Sequence, residues 1–277
     1  MKLFRHIILT ISCVLAISCS KETLQNSEPA LETVKYGVSL DAQTRTLGNG
    51  RTASHVWYAL YRTNGDLVSE CAMPAKIDVD GKAICPVTMA KGQNYKIVFV
   101  AMYYTVSDET KTPAYAIDAE SKTLYMPTQA LANSDKYDLF YGVDQVVNFQ
   151  GAQSTNVQLD RIVAQINFEL AETSWNDLQV TSDFQSEITI TGAPGKFEFF
   201  TGEVSDYGTI SFTKSVIPFE APSRKIGTAY CLTPSADQLQ VEASIRLYGE
   251  NGTTEVKAAN ASSVPVAINK QTNLIIN

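Results

Sequence analysis

The feature that most constrains this chain is the recurrence of short β-rich runs separated by tight-turn dipeptides. The runs are TVKYGVSL (33–40), HVWYALYR (55–62), YKIVFVAMYY (95–104), VDQVVNF (143–149), NVQLDRIVAQINFEL (156–170), EITITG (187–192), TISFT (209–213), QVEASIRLYG (240–249) and VPVAI (264–268). Asn64-Gly65, Asp80-Gly81 and Asn251-Gly252 punctuate them, and such dipeptides favour antiparallel hairpins because they tolerate the positive φ of tight turns. In the first run Val34, Tyr36, Val38 and Leu40 alternate with Lys35, Gly37, Ser39 and Asp41, the period of a half-buried strand. Helical periodicity is nearly absent, with Pro127 to Tyr141 the best short candidate. Length and pattern together predict an all-β chain of 277 residues built as two tandem β-sandwich domains. The boundary falls near Leu159, giving modules over 33–158 and 159–277 that abut without a Pro/Gly linker.

The amino terminus carries a different signal. Lys2 and Arg5 form a basic start, Ile7 to Ile17 is apolar, and small Ser18 precedes Cys19. An apolar stretch of eleven residues is too short to span a bilayer but suits a cleaved export signal. Residues 1–18 resemble a bacterial lipoprotein signal, with Cys19 as the lipidated residue; Cys13 also follows an Ile-Ser pair, but cutting there leaves too short an apolar stretch. Residues 19–32 are polar, lack apolar periodicity and read as a tether.

Charge narrows the partners. Without residues 1–18 the chain holds 20 basic against 29 acidic residues, a net charge of −9, which supplies no basic face for phosphates, so a nucleic-acid role is not expected. One histidine, His55, remains after the signal, so histidine-rich metal sites are excluded and an enzyme is the less favoured class; no cofactor is expected. Cys71, Cys85 and Cys231 contain no CxxC pair; a Cys71–Cys85 disulfide is conceivable, and three buried thiols serving as small hydrophobes is the preferred reading. Gly48-Asn49-Gly50-Arg51-Thr52-Ala53 imitates a dinucleotide fingerprint but is followed by a strand rather than the helix that motif needs. Asp78-Val79-Asp80-Gly81 begins like a calcium loop, yet its glycine falls at the wrong position and Met89 stands where a glutamate is required; it reads as a hairpin turn. Trp57, Tyr103, Tyr104 and Trp175 could form a sugar-stacking platform, although aromatic residues in strands more often belong to a core.

Residues 33–65 combine an alternating strand, Arg45 in a polar, glycine-bearing loop, and Val56-Trp57-Tyr58-Ala59-Leu60-Tyr61 before Asn64-Gly65. By composition alone Arg45 is an ordinary surface arginine. Together with Val157 to Ile166, and with Val264-Pro265-Val266 followed by Asn269-Lys270-Gln271-Thr272-Asn273, this order resembles the fimbrillins, subunits of the type V fimbriae of Bacteroidales. The resemblance runs from one end of the chain to the other.

That resemblance implies a Greek-key-like, transthyretin-like topology and assembly by donor strand. An outer-membrane lipoprotein precursor, anchored through Cys19, would be cut by an arginine-specific protease between Arg45 and Thr46. It would lose the strand whose core face is Val34, Tyr36, Val38 and Leu40, and then accept a strand from another fimbrial subunit at the cell surface. Four such side chains represent roughly 6–12 kcal/mol of burial, comparable with the roughly 5–15 kcal/mol that holds a domain together. The chain stops at Leu274-Ile275-Ile276-Asn277 where family stalk subunits continue, so a tip or minor subunit involved in adhesion is expected, with a host or bacterial receptor met by irregular segments such as 105–136 and 201–225. The contrasting expectation is an outer-membrane-anchored glycan-binding lipoprotein.

Overall fold

The computed structural model describes residues 30–40, 52–107, 111–131, 134–151, 155–172, 183–217 and 225–277. Its strands are β1 (Leu31–Leu40), β2 (His55–Arg62), β3 (Leu67–Glu70), β4 (Ala75–Lys76), β5 (Lys82–Ala90), β6 (Tyr95–Met102) and β7 (Tyr104–Val106). There follow β8 (Lys111–Pro113), β9 (Ala116–Asp118), β10 (Thr123–Tyr125), β11 (Gln129–Leu131), β12 (Phe140–Val146), β13 (Thr155–Arg161) and β14 (Val163–Leu170). The last six are β15 (Phe184–Glu198), β16 (Val204–Ile217), β17 (Lys225–Leu232), β18 (Leu239–Tyr248), β19 (Glu255–Val266) and β20 (Gln271–Ile276). The chain is all-β, as its pattern predicts.

Three sheets carry the architecture. The first has the order β3-β2-β6-β12-β13-β1-β5, with β4 also paired to β2. The second joins β11-β16-β15-β10-β9, with β18 on β15 and β19 on β18. The third is β17-β14-β20, and β7 and β8 form a separate hairpin. Turn chemistry places the hairpins: Gly65 and Gly81 adopt φ of 95° and 76°, where a side chain would be strained. In the second of these turns the Asp78 carboxylate accepts the backbone N–H groups of Asp80 and Lys82, both at 2.9 Å. Asp78-Val79-Asp80-Gly81 is thus a turn.

The first sheet curls so that its two ends enclose one apolar core, in which Val34, Tyr36, Val38, Cys85 and Val87 meet Val56, Leu60, Ile97, Phe99 and Phe140. The opposite faces of β2 and β6 are also covered: Trp57, Ala59, Tyr61, Val98, Val100 and Met102 pack into a second core with Phe184, Ile188, Phe199, Phe212 and Ile245. Buried on both faces, β2 and β6 carry nearly continuous apolar runs instead of alternation.

Several local expectations are corrected. β1 starts at Leu31, not Thr33, because backbone pairing with Ala90 and Met89 and a 2.9 Å ion pair from Lys91 to Glu32 extend it past its apolar pattern. The stretch from Pro127 to Tyr141 holds β11, a 3-10 turn at Asp135–Tyr137 and the start of β12. The run 156–170 is two strands broken at Ile162, whose N–H donates to the Leu139 carbonyl at 3.1 Å and whose carbonyl accepts from Thr233 at 3.2 Å. Leu159 lies within β13, so the chain leaves the first sheet three residues later. Much of 201–225 is the strand β16 rather than irregular chain, and β9, β10 and β11 place residues 116–131 in the second sheet.

At the junction Arg161 holds Asp138 through Nε at 2.6 Å and a second nitrogen at 2.8 Å, both residues nearly inaccessible to water. Arg161 also donates to the Asn269 amide oxygen at 3.3 Å and lies over the Phe140 ring. One side chain therefore ties the end of the first sheet to the turn between β19 and β20.

Candidate functional site: the seat of the first strand

The amino-terminal strand of the described chain is an interior strand. β1 runs antiparallel to β5 from Leu31 opposite Ala90 to Ser39 opposite Lys82. On its other side it runs parallel to β13, from Tyr36 opposite Thr155 to Leu40 opposite Leu159. A parallel neighbour cannot be reached by a short hairpin, so this position is set by packing rather than by local sequence. Val34, Tyr36 and Val38 are each 2% exposed, and Leu40 is half-buried. The outward residues Thr33 and Lys35 are exposed, as period 2 requires.

Tyr36 sits at the centre of this seat. Its ring lies 5.4 Å from that of Phe99; burial, then the Asp144 carboxylate on β12, push its hydroxyl well above the ordinary tyrosine range. Cys85 lies opposite it in register, and burial raises that thiol to about 12. Outside, Thr33 and Thr88 share a hydroxyl hydrogen bond of 2.8 Å.

Beside β1 the first sheet is split. β12 pairs with β13 only at Phe140–Arg161 and Tyr141–Asp160. Beyond Gly142, where a side chain would meet Leu159 at 2.8 Å, the strands part and leave a cleft of about 360 Å³ lined by Val34, Tyr36, Asp144, Val146, Phe149 and Thr155. No motif in the sequence marks this opening, because it arises where two consecutive strands diverge beside β1, which is remote from both in sequence.

The other candidate residues fall as follows. Cys19, Arg45, Thr46 and Arg51 lie outside the described residues, as does Trp175. Trp57 and Tyr104 are buried, and Tyr103 is half-buried with Lys136 Nζ 4.8 Å from its ring. They do not form an exposed row. Cys71, Cys85 and Cys231 are free thiols; Cys85 and Cys231 are buried, whereas Cys71 is half-buried and accepts the Tyr58 N–H at 3.4 Å. Among the described residues no cluster of His, Cys, Asp or Glu could hold a metal ion. A second cleft of about 240 Å³ opens between the sheets around Lys96, Tyr141, Gln145, Phe199, Phe200 and Ser235. There Lys96 Nζ covers Phe200 at 4.5 Å and Tyr141 donates its hydroxyl to the Phe199 carbonyl, so the aromatic faces are already in use.

The curled sheet, its partner sheets and the interior first strand define an all-β sandwich protein. A family model matches residues 31–275, and the chain belongs to that family, described as a family of unknown function (DUF6562). No curated protein matches the chain. Among solved structures it is similar in fold to a protein of Bacteroides thetaiotaomicron named for polysaccharide binding (DUF1812), at 14% identity and a TM-score of 0.50 over 82% of this chain and 80% of that one. A Bacteroides ovatus protein named as an adhesin aligns at 14% identity and a TM-score of 0.48, over 83% and 76% of the two chains. The fimbrial anchor protein Mfa2 of Porphyromonas gingivalis aligns at 12% identity and a TM-score of 0.43, over 82% of each.

Proposed function

We propose that this chain is a non-enzymatic structural subunit of a cell-surface fibre. It is exported as a lipoprotein held in the outer membrane through Cys19, cut after Arg45 by an arginine-specific protease, and assembled when another fimbrial subunit donates a strand into the place of β1. The observation that carries this reading is the seat itself: β1 is interior, with its apolar face in the core of the first sheet, yet it is the first strand among the described residues. Losing it uncovers three fully buried side chains, roughly 5–9 kcal/mol of burial, and bares the edges of β5 and β13. Such a gap is stable only when another strand fills it. With β20 paired along β14 and Ile276 buried, the role given to this chain is that of strand acceptor, at an adhesive position in the fibre.

The test is the amino terminus of the surface-exposed protein, read by mass spectrometry in wild type and in Arg45→Ala. Starting at Thr46 in the wild type, with processing and fibre incorporation both lost in the variant, is the expected result. A protein that enters fibres while still beginning at lipidated Cys19 overturns the reading.

One comparison favours a second reading, an anchored glycan-binding lipoprotein: the structural neighbour named for polysaccharide binding. Its weakness here is that Trp57 and Tyr104 are core residues. Binding of bacterial or host polysaccharides by the protein still anchored through Cys19, unchanged by Arg45→Ala, would support it over fibre assembly.

A further inference from the structure

We propose that the cleft between β12 and β13 is a docking seat for the leading residues of an incoming β-strand, so that β1 is displaced by an associative route that begins beside Tyr36. This rests on the fibre-subunit reading above and adds to it where exchange starts.

Three observations converge. First, among the described residues Val143–Val146 of β12 have no ladder partner on the β13 side, although both strands are described along this length. Their backbone groups on that side are a template for one more strand. Second, the cleft wall is mixed: Val34, Val146 and Phe149 are apolar, and Asp144 is a half-buried carboxylate among them. An extended segment with alternating apolar side chains fits the wall, and a basic or hydroxyl group on it would face Asp144. Third, Tyr36 at the centre of β1 and Asp144 of β12 line the cleft together. An incoming group that engages Asp144 changes the polar surroundings of the Tyr36 hydroxyl, which couples docking to release. The partner is thus a strand of a second subunit, acidic-poor and apolar at alternate positions.

The test uses the full chain with a specific protease site placed within residues 41–51, cut after folding so that β1 remains seated. The probe is a dye-labelled peptide of residues 31–40, which by its sequence fits the seat. The expected result is a displacement rate that rises in proportion to peptide concentration. Obstructing the cleft after folding, with a bulky maleimide on Val147→Cys in a Cys71→Ser background, should slow exchange by about tenfold or more; Val147 is 79% exposed at the cleft. The melting temperature of the cut protein should stay unchanged by the adduct, which separates blocked docking from a damaged fold. A rate independent of peptide concentration, a rate unaffected by the adduct, or no exchange at all overturns the proposal. Failure of the fibre reading shows elsewhere, as fibre entry without processing at Arg45.

Discussion

His55 illustrates how one residue reports on its surroundings. It is buried at the start of β2, its Nδ1 3.0 Å from the Ser54 hydroxyl and its ring edge-on to Tyr104 at 5.3 Å. Burial, then the charges of Lys111 and Lys76, hold it below the ordinary imidazole range. The folded state therefore favours neutral His55, while the unfolded chain binds a proton near pH 6.5. Its contribution is fully present above that value and is lost as pH falls through the lower folded value. The urea midpoint should drop as pH falls from about 7 to about 5, and His55→Gln should flatten that slope; an unchanged slope would dismiss the imidazole as its source.

Among the elements, β1 and the third sheet depend on close approach. Gly227 in β17 lies beneath Ile188 and Ile245, and a side chain there would meet their Cδ1 atoms at 2.7 and 2.9 Å. The gap between β17 and β15 has no spare volume, so Gly227→Ala should cost about 1–3 kcal/mol by overpacking. Chemical denaturation of the folded variant measures this, and a loss below about 0.5 kcal/mol would mean the layers can part freely. The alternation of Val34, Tyr36 and Val38 already shows β1 in the sequence, and β2 is read residue for residue. β17 was less legible: in KIGTAYCL the alternation is erased because Ile226 to Leu232 are all buried. β5 was missed because Pro86 interrupts its pattern, although proline is tolerated where β5 faces away from β1.

At the scale of the molecule, the two sequence modules share a core. Trp57 from β2 packs against Phe199, just after β15, with ring centroids 5.8 Å apart. Tyr61 lies edge-on to Phe200 at 5.2 Å and donates to the Ala119 carbonyl at 3.0 Å. Although the first sheet encloses a core of its own, the larger second core draws on both modules, so neither should melt alone and calorimetry should record one transition with matching calorimetric and van't Hoff enthalpies. Trp57→Ala should lower stability by about 3–5 kcal/mol and either keep that single transition or, by uncoupling the modules, split it; two transitions in the wild type would refute the shared core.

Period-2 alternation and turn chemistry act over a few residues, so local pattern is enough to show that the chain is β, where its hairpins turn, and which face of β1 is apolar. The tertiary structure alone decided that β1 sits between β5 and β13, that Arg161 meets Asp138, and that β12 parts from β13 to open a cleft at Tyr36. The first two are contacts between residues tens of positions apart, and the third is shaped by β1 arriving beside two consecutive strands; each is set by which faces can be buried together, and no local pattern records that choice.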